Sequence, residues 1–215
     1  MKKSFCAVVA FMIAVTCMLT GCMNNDPFDS SMVINYSRLY GVQDLGASAN
    51  VTTAINSFNN KREPSAFYSS KDKAEAESLY KNYINKNNWY PEASGLNAMT
   101  VITAKDTIVS LRYDTKLSVM YFDEKSEAKT YFDALAASLK DGEIKTGFKD
   151  GYEYAILYKT SADRSGNIDF LEGVYLRGNS VLLCSGFSPI GGVDTFSDVI
   201  YGKIGLIDPI TLKKK

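Results

Sequence analysis

Two stretches of the chain carry the 3.6-residue apolar period of an amphipathic helix. Over residues 71–86, Ala76, Leu79, Tyr80, Tyr83 and Ile84 fall on one stripe, with Ser70 placed to cap the N-terminus. Over 124–140, Ala128, Tyr131, Phe132, Leu135 and Leu139 do the same before Asp141-Gly142 ends the pattern. A third helix is expected over 193–206, with Phe196, Val199, Ile200, Ile204 and Ile207 in register and Asp208-Pro209 as its stop. Shorter periodic segments at 32–40, ending at Gly41, and at 52–58 predict two further helices. Strands are expected at 66–69, 99–104, 107–113 and 117–122, the last three parted by turns at Lys105-Asp106 and Asp114-Thr115-Lys116, and again at 152–159, 170–177 and 181–187. Gly178-Asn179 suits a two-residue hairpin turn.

Strands that come in groups, with helices before and after them, predict an α+β fold in which a mainly antiparallel sheet is covered by amphipathic helices. The pattern describes a single domain over 32–212, with candidate halves 32–98 and 99–212. Residues 74–80 and 126–132 match in character at a spacing of 52. They fit either two strand-helix repeats or two unrelated helices built from the same favoured residue types.

The N-terminus follows a different logic. Met1-Lys2-Lys3 is basic, no charge follows until after Asn25, and 5–19 is almost wholly apolar, as in an export signal. An uncleaved signal anchor is the alternative for a stretch of this kind. Leu19-Thr20-Gly21-Cys22 resembles the lipobox of bacterial lipoproteins. That resemblance covers this segment alone. It implies a diacylglyceryl thioether on Cys22, cleavage between Gly21 and Cys22, and a mature protein tied by lipid to the outside of a membrane, which is the outer face of the plasma membrane in a Gram-positive cell. Two or more acyl chains, at about 0.8 kcal/mol per buried methylene, would make the anchorage effectively permanent. Residues 1–21 are then a signal peptide, and 22–31, the lipidated Cys22 with its polar neighbours, read as a tether that gives the domain reach.

Composition narrows the chemistry. The 24 basic and 24 acidic side chains cancel, so no electrostatic attraction to nucleic acid is expected. Without residues 1–21 the chain keeps 22 basic against 24 acidic groups, a net of −2. The sequence contains no histidine, which excludes Ser-His-Asp and Cys-His catalysis and His-ligated metal. Cys6 and Cys17 leave with the signal and Cys22 is the lipid acceptor, so Cys184, between Leu183 and Ser185, stands alone and reads as a buried thiol.

The remaining motifs are weaker. Oxygen-bearing side chains at Ser161, Asp163, Ser165, Asn167 and Asp169, with Glu172, resemble a calcium loop, yet they depart from it in third position, spacing and closing Glu, and also suit a hairpin connection. Gly191-Gly192 before the last helix fits a flexible helix start as readily as an anion site. Tyr152, Tyr154 and Tyr158 share one strand face, which is either core beneath the helices at 71–86 and 124–140 or a face for sugar, peptide or protein.

The expectation is therefore a lipid-anchored, extracytoplasmic binding or interaction module. It has no catalytic residue, no metal and no cofactor beyond the covalent lipid, and its partners are the membrane through that lipid and a protein or glycan ligand. Two rivals are a carboxylate-dependent envelope or cell-wall hydrolase and an accessory subunit of a membrane complex. The first predicts a pocket holding two acidic residues, the second an exposed apolar patch. Residues 213–215 read as a frayed basic tail.

Overall fold

The computed structural model describes residues 26–46, 49–60, 63–108, 111–163, 166–188 and 196–213. The lipobox residues Gly21 and Cys22, together with Gly191-Gly192, lie outside them.

In chain order the elements are α1 (Ser30–Leu39), β1 (Gln43–Asp44), α2 (Val51–Asn59), β2 (Ala66–Ser69), α3 (Lys73–Leu79), β3 (Leu96–Ile108), β4 (Leu111–Phe122), α4 (Lys125–Ser138), β5 (Glu143–Lys149), β6 (Tyr152–Asp163), β7 (Gly166–Arg177), β8 (Ser180–Ser188) and α5 (Phe196–Lys203). A 3-10 turn, Pro209–Leu212, follows. The eight strands form one sheet in the order β1-β2-β3-β4-β8-β7-β6-β5. Every neighbouring pair is antiparallel except β1 with β2. The α+β architecture expected from the sequence is the one observed, and both strand-helix units are present. Ala76 and Ala128 are each fully buried, and α3 and α4 feed one core cluster with Leu79, Tyr131 and Leu135.

Alternation along each strand divides the interior in two. On one face Met99, Val101, Met120, Leu157, Val174 and Leu183 meet α2, α3 and α4. On the other, Ile102, Leu117, Val119, Ile156, Leu182 and Cys184 meet Phe28, Val33 of α1, and Ile200, Tyr201, Ile204 and Leu206 at the C-terminal end. Runs such as Val181-Leu182-Leu183-Cys184 are continuous rather than alternating because the sheet is buried on both sides.

Several boundaries differ from the sequence expectation. The three strands over 99–122 are two long ones, and the proposed turns at 105–106 and 114–116 lie inside them, with Lys105 opposite Asp114. Lys105 belongs in a strand because its ammonium reaches the end of α2, donating to the carbonyls of Ser57 (3.2 Å), Asn60 (2.7 Å) and Glu63 (3.1 Å), where a helix presents negative charge. Asp72, not Ser70, caps α3, accepting from Glu75 N at 2.9 Å. Ser70 instead continues the pairing of β2, exchanging bonds with Met99 (2.8 and 2.9 Å).

The helix beginning at Lys73 does not run on as α-helix. From Tyr80 to Ile84 it widens into a π turn, closed by Asn85 N to Tyr80 O at 2.7 Å. Strand β5 has no counterpart in the sequence pattern. It contains Gly147, and all of its residues are exposed, so it lacks a hydrophobic signature. A Cβ at Gly147 would collide with the ring of Tyr154, which lies across it. The last helix is shorter than expected because Gly205, at φ 74, takes the left-handed conformation that ends it.

Both terminal segments are more ordered than expected. Asp26 to Ser31 is not a free tether. Phe28 is buried, its N–H donates to Ser180 Oγ (2.7 Å), and its carbonyl accepts from Tyr121 Oη (2.7 Å). Arg177 donates to the carbonyls of Asp26 (2.9 Å) and Pro27 (3.3 Å), and its guanidinium lies over the Phe28 ring. Lys213 is likewise held, 2.5 Å from Asp169.

Phe28→Ala should therefore lower stability by about 3 kcal/mol, as loss of a buried aromatic does, measured as the shift in urea unfolding midpoint. An effect within about 0.5 kcal/mol would be that of a tether residue.

Candidate functional site

The tyrosine face is core. Tyr152, Tyr154 and Tyr158 of β6 are 3%, 6% and 7% exposed, and Tyr152 and Tyr154 pack on the side away from α3 and α4. The cover over Tyr152 and Tyr154 consists of Phe28 and the segment after α5. Tyr152 packs against Phe28, Tyr154 and Tyr175. The Tyr152 hydroxyl accepts from Ile207 N at 3.0 Å, and that of Tyr175 donates to Ile207 O at 2.6 Å. Tyr158 points its hydroxyl at Asp169 (2.8 Å). As a face for a ligand, this strand is excluded by burial.

Chemistry gathers instead on the opposite face, where α3 widens. The π turn brings both Tyr80 and Tyr83 inward. Tyr83 shares a hydrogen bond with Thr103 Oγ1 (2.8 Å), and Tyr80 donates to the carbonyl of Pro91 while accepting from Tyr131 Oη (3.2 Å). The chain then turns at Asn88, φ 54, and delivers Tyr90, whose hydroxyl donates to Glu172 Oε1 at 3.2 Å. Glu172 is 9% exposed on β7. Burial pushes its carboxyl pKa up, against the opposing pull of the Tyr90 hydrogen bond and the charge of Lys159. Burial likewise raises Tyr80 to about 12 and Tyr131 well above the ordinary phenol value. This cluster is invisible in the sequence because Tyr80, Tyr90, Tyr131 and Glu172 come from four separate segments, and the π turn that gathers them leaves no mark on helical spacing.

Beside it lies a hollow of about 200 Å³, lined by Glu92, Ser94, Ser126, Glu127, Thr130 and Tyr131. It holds two acidic residues, the arrangement the hydrolase reading predicts. One of them already serves the fold, since Glu127 Oε2 accepts from Glu124 N (3.1 Å) and closes the capping box of α4. The same carboxylate sits where a Cβ on Gly95, at φ 75, would go.

On the other face Asp169 takes part in an ion pair. Burial raises its pKa, but hydrogen bonds from Lys213, Tyr158 and Thr160 outweigh burial and hold it below the ordinary value. Asp163 and Gly166 are paired across the β6–β7 hairpin, so the calcium-like segment is a hairpin connection. Among the described residues no three Asp, Glu or Cys side chains gather as metal ligands. Cys184 is fully buried and its thiol is pushed up to about 12 by burial.

The exposed apolar surface includes the last strand of the sheet. Ile144 and Phe148 of β5 are 44% and 55% exposed, and β5 forms one edge of the sheet order. Their partners in register are Leu157 and Glu153, which places both on the side of α4.

No family model matches the chain, and no curated relative matches it. Among solved structures it is similar to the extracellular domain of PknH from Mycobacterium tuberculosis, at 12% identity and a TM-score of 0.37, over 76% of this chain and 91% of that one. Among the described residues no helix is long and apolar enough to cross a membrane.

Two outcomes check the site. Because the folded state raises the Glu172 pKa, the native protein binds more protons than the unfolded chain, and stability should fall as pH rises from about 4.5 through the native value. Glu172→Gln should remove that decline, seen as unfolding midpoints compared at pH 4 and pH 7. Cys184 should react with a thiol reagent only on unfolding, read as labelling with and without denaturant.

Proposed function

We propose that this chain is a lipid-anchored protein of the cell envelope, held on the extracytoplasmic side of a membrane by a diacylglyceryl group on Cys22, and that it acts by binding another protein rather than by catalysis. The observation that carries the reading is the placement of Leu19-Thr20-Gly21-Cys22. The motif follows an uncharged apolar stretch and directly precedes a folded body whose description begins at Asp26.

The edge strand supports the binding half of the proposal. An edge presents a row of backbone donors and acceptors, and natural edges are commonly shortened, bulged or covered. Strand β5 is seven residues long and shows Ile144 and Phe148 on one side, with Lys145 and Lys149 between and after them. Another extended segment fits such an edge: main-chain bonds supply affinity, and alternate side chains supply selectivity. A protein partner suits the surface better than a glycan, since the tyrosines that could have stacked on sugar at Tyr152, Tyr154 and Tyr158 are interior. Against catalysis, one of the two acidic residues lining the hollow, Glu127, is engaged in a helix cap.

Cys22→Ala should abolish incorporation of labelled lipid and leave the precursor uncleaved, observed as a mass that still includes residues 1–21. Lipid labelling that persists in this variant would remove Cys22 as the acceptor.

A further inference from the structure

Resting on the reading that Cys22 carries lipid, we infer that the end of the sheet formed by the β7–β8 and β5–β6 turns is seated against phospholipid headgroups, with the body held close to the bilayer and without free reach. The observation is the way the first described residues are tied down. Arg177, the last residue of β7, grips the carbonyls of Asp26 and Pro27 and covers the Phe28 ring at 5.3 Å. Ser180, the first residue of β8, accepts from Phe28 N, and Tyr121 near the end of β4 donates to Phe28 O and accepts from Ser30 N at 3.0 Å. Six strands reach this end together: β3 at Leu96, β4 at Phe122, β5 at Lys149, β6 at Tyr152, β7 at Arg177 and β8 at Ser180. Phe28 is itself 5% exposed, so release would expose an aromatic side chain.

Chain length then limits the distance. Cys22 and Asp26 are four residues apart, and at roughly 3.5 Å per residue they span at most about 14 Å. The headgroup layer itself accounts for about 5 to 8 Å beyond the acyl boundary where the lipid is attached. The tip of the β7–β8 hairpin is thus kept within about one headgroup thickness of the membrane surface. A free tether over 22–31 would span about 31 Å, roughly twice the 14 Å chain span. Tyr83, bonded to Thr103 seven residues into β3, marks a level more than about 20 Å farther along the strand axis, at about 3.3 Å per residue.

The test uses the full lipidated chain in phospholipid vesicles carrying a headgroup-attached quencher. A fluorophore is placed on Lys149→Cys at the near end, or on Lys86→Cys just beyond the π turn at the far end. Cys184 is buried and Cys22 is occupied by lipid, so the label goes to the introduced thiol. Mass spectrometry first reads the lipid on Cys22. The near label should be quenched several-fold more than the far one. Inserting twelve Gly and Ser residues between Asn25 and Asp26, outside the folded body, should lower quenching of the near label and level the two, since such a linker reaches roughly 20 Å. Equal quenching in the uninserted protein, or no change on insertion, with lipid present on Cys22, would overturn the seating and leave the lipoprotein reading standing. No lipid on Cys22 would overturn the lipoprotein reading itself, and the seating with it.

Discussion

A sheet with apolar side chains on both faces has to be covered twice, and in this molecule tyrosine hydroxyls join the covers to the sheet. On the face that carries Cys184, Tyr121 bonds the backbone of Phe28 and Ser30, Tyr152 and Tyr175 bond that of Ile207, and Tyr201 donates to the Cys184 carbonyl. Tyr152 and Tyr175 fill core while their polar tips satisfy backbone groups of a segment outside the sheet, and Tyr201 reaches the other way, from α5 to β8. Of the fourteen tyrosines, which in the sequence look generous enough for a binding surface, Tyr121, Tyr152, Tyr175 and Tyr201 are a means by which the N- and C-terminal segments are fastened down. Loss of either segment would uncover part of that face.

What can be read from the sequence follows from how local each feature is. The stripes of α3 and α4 and the β7–β8 hairpin at Gly178-Asn179 depend on neighbouring residues, and they stand close to where the pattern puts them. Charge inside strands reads as turn, because the partner that holds Lys105 in place is the end of α2, more than forty residues earlier in the chain. The polar composition of 26–31 reads as tether for the same reason: Phe28 and Arg177 are 149 positions apart, and their contact has no local signature. Strand β5 leaves no trace in the pattern, since a strand that buries nothing has no periodicity to display.

Three carboxylates, Asp169 and Glu172 buried and Glu127 half-buried, show how similar residues take different roles. Asp169 sits where a lysine and two hydroxyls converge, and the charged form is favoured there. Glu172, bonded by one phenol, is a carboxyl in a poorly solvated place. Glu127 is committed to a helix end. Position on a face, rather than residue type, separates a group that fastens a terminus from one that is sensitive to acidity.

The direction in which β5 runs at the rim constrains how copies of the chain could meet. Were two copies to join β5 to β5 and extend the sheet, the strands would oppose each other in direction, and the two-fold axis relating them would stand one copy on its head. With the axis at Thr146, Ile144 would face Phe148 across the join, and the Asp26 ends would point apart. On the proposed anchorage at Cys22, four residues before Asp26, such a pair would bridge two facing membranes. If that anchorage holds, the rim is closed to self-association of this kind among neighbours on a single bilayer and left to a different chain.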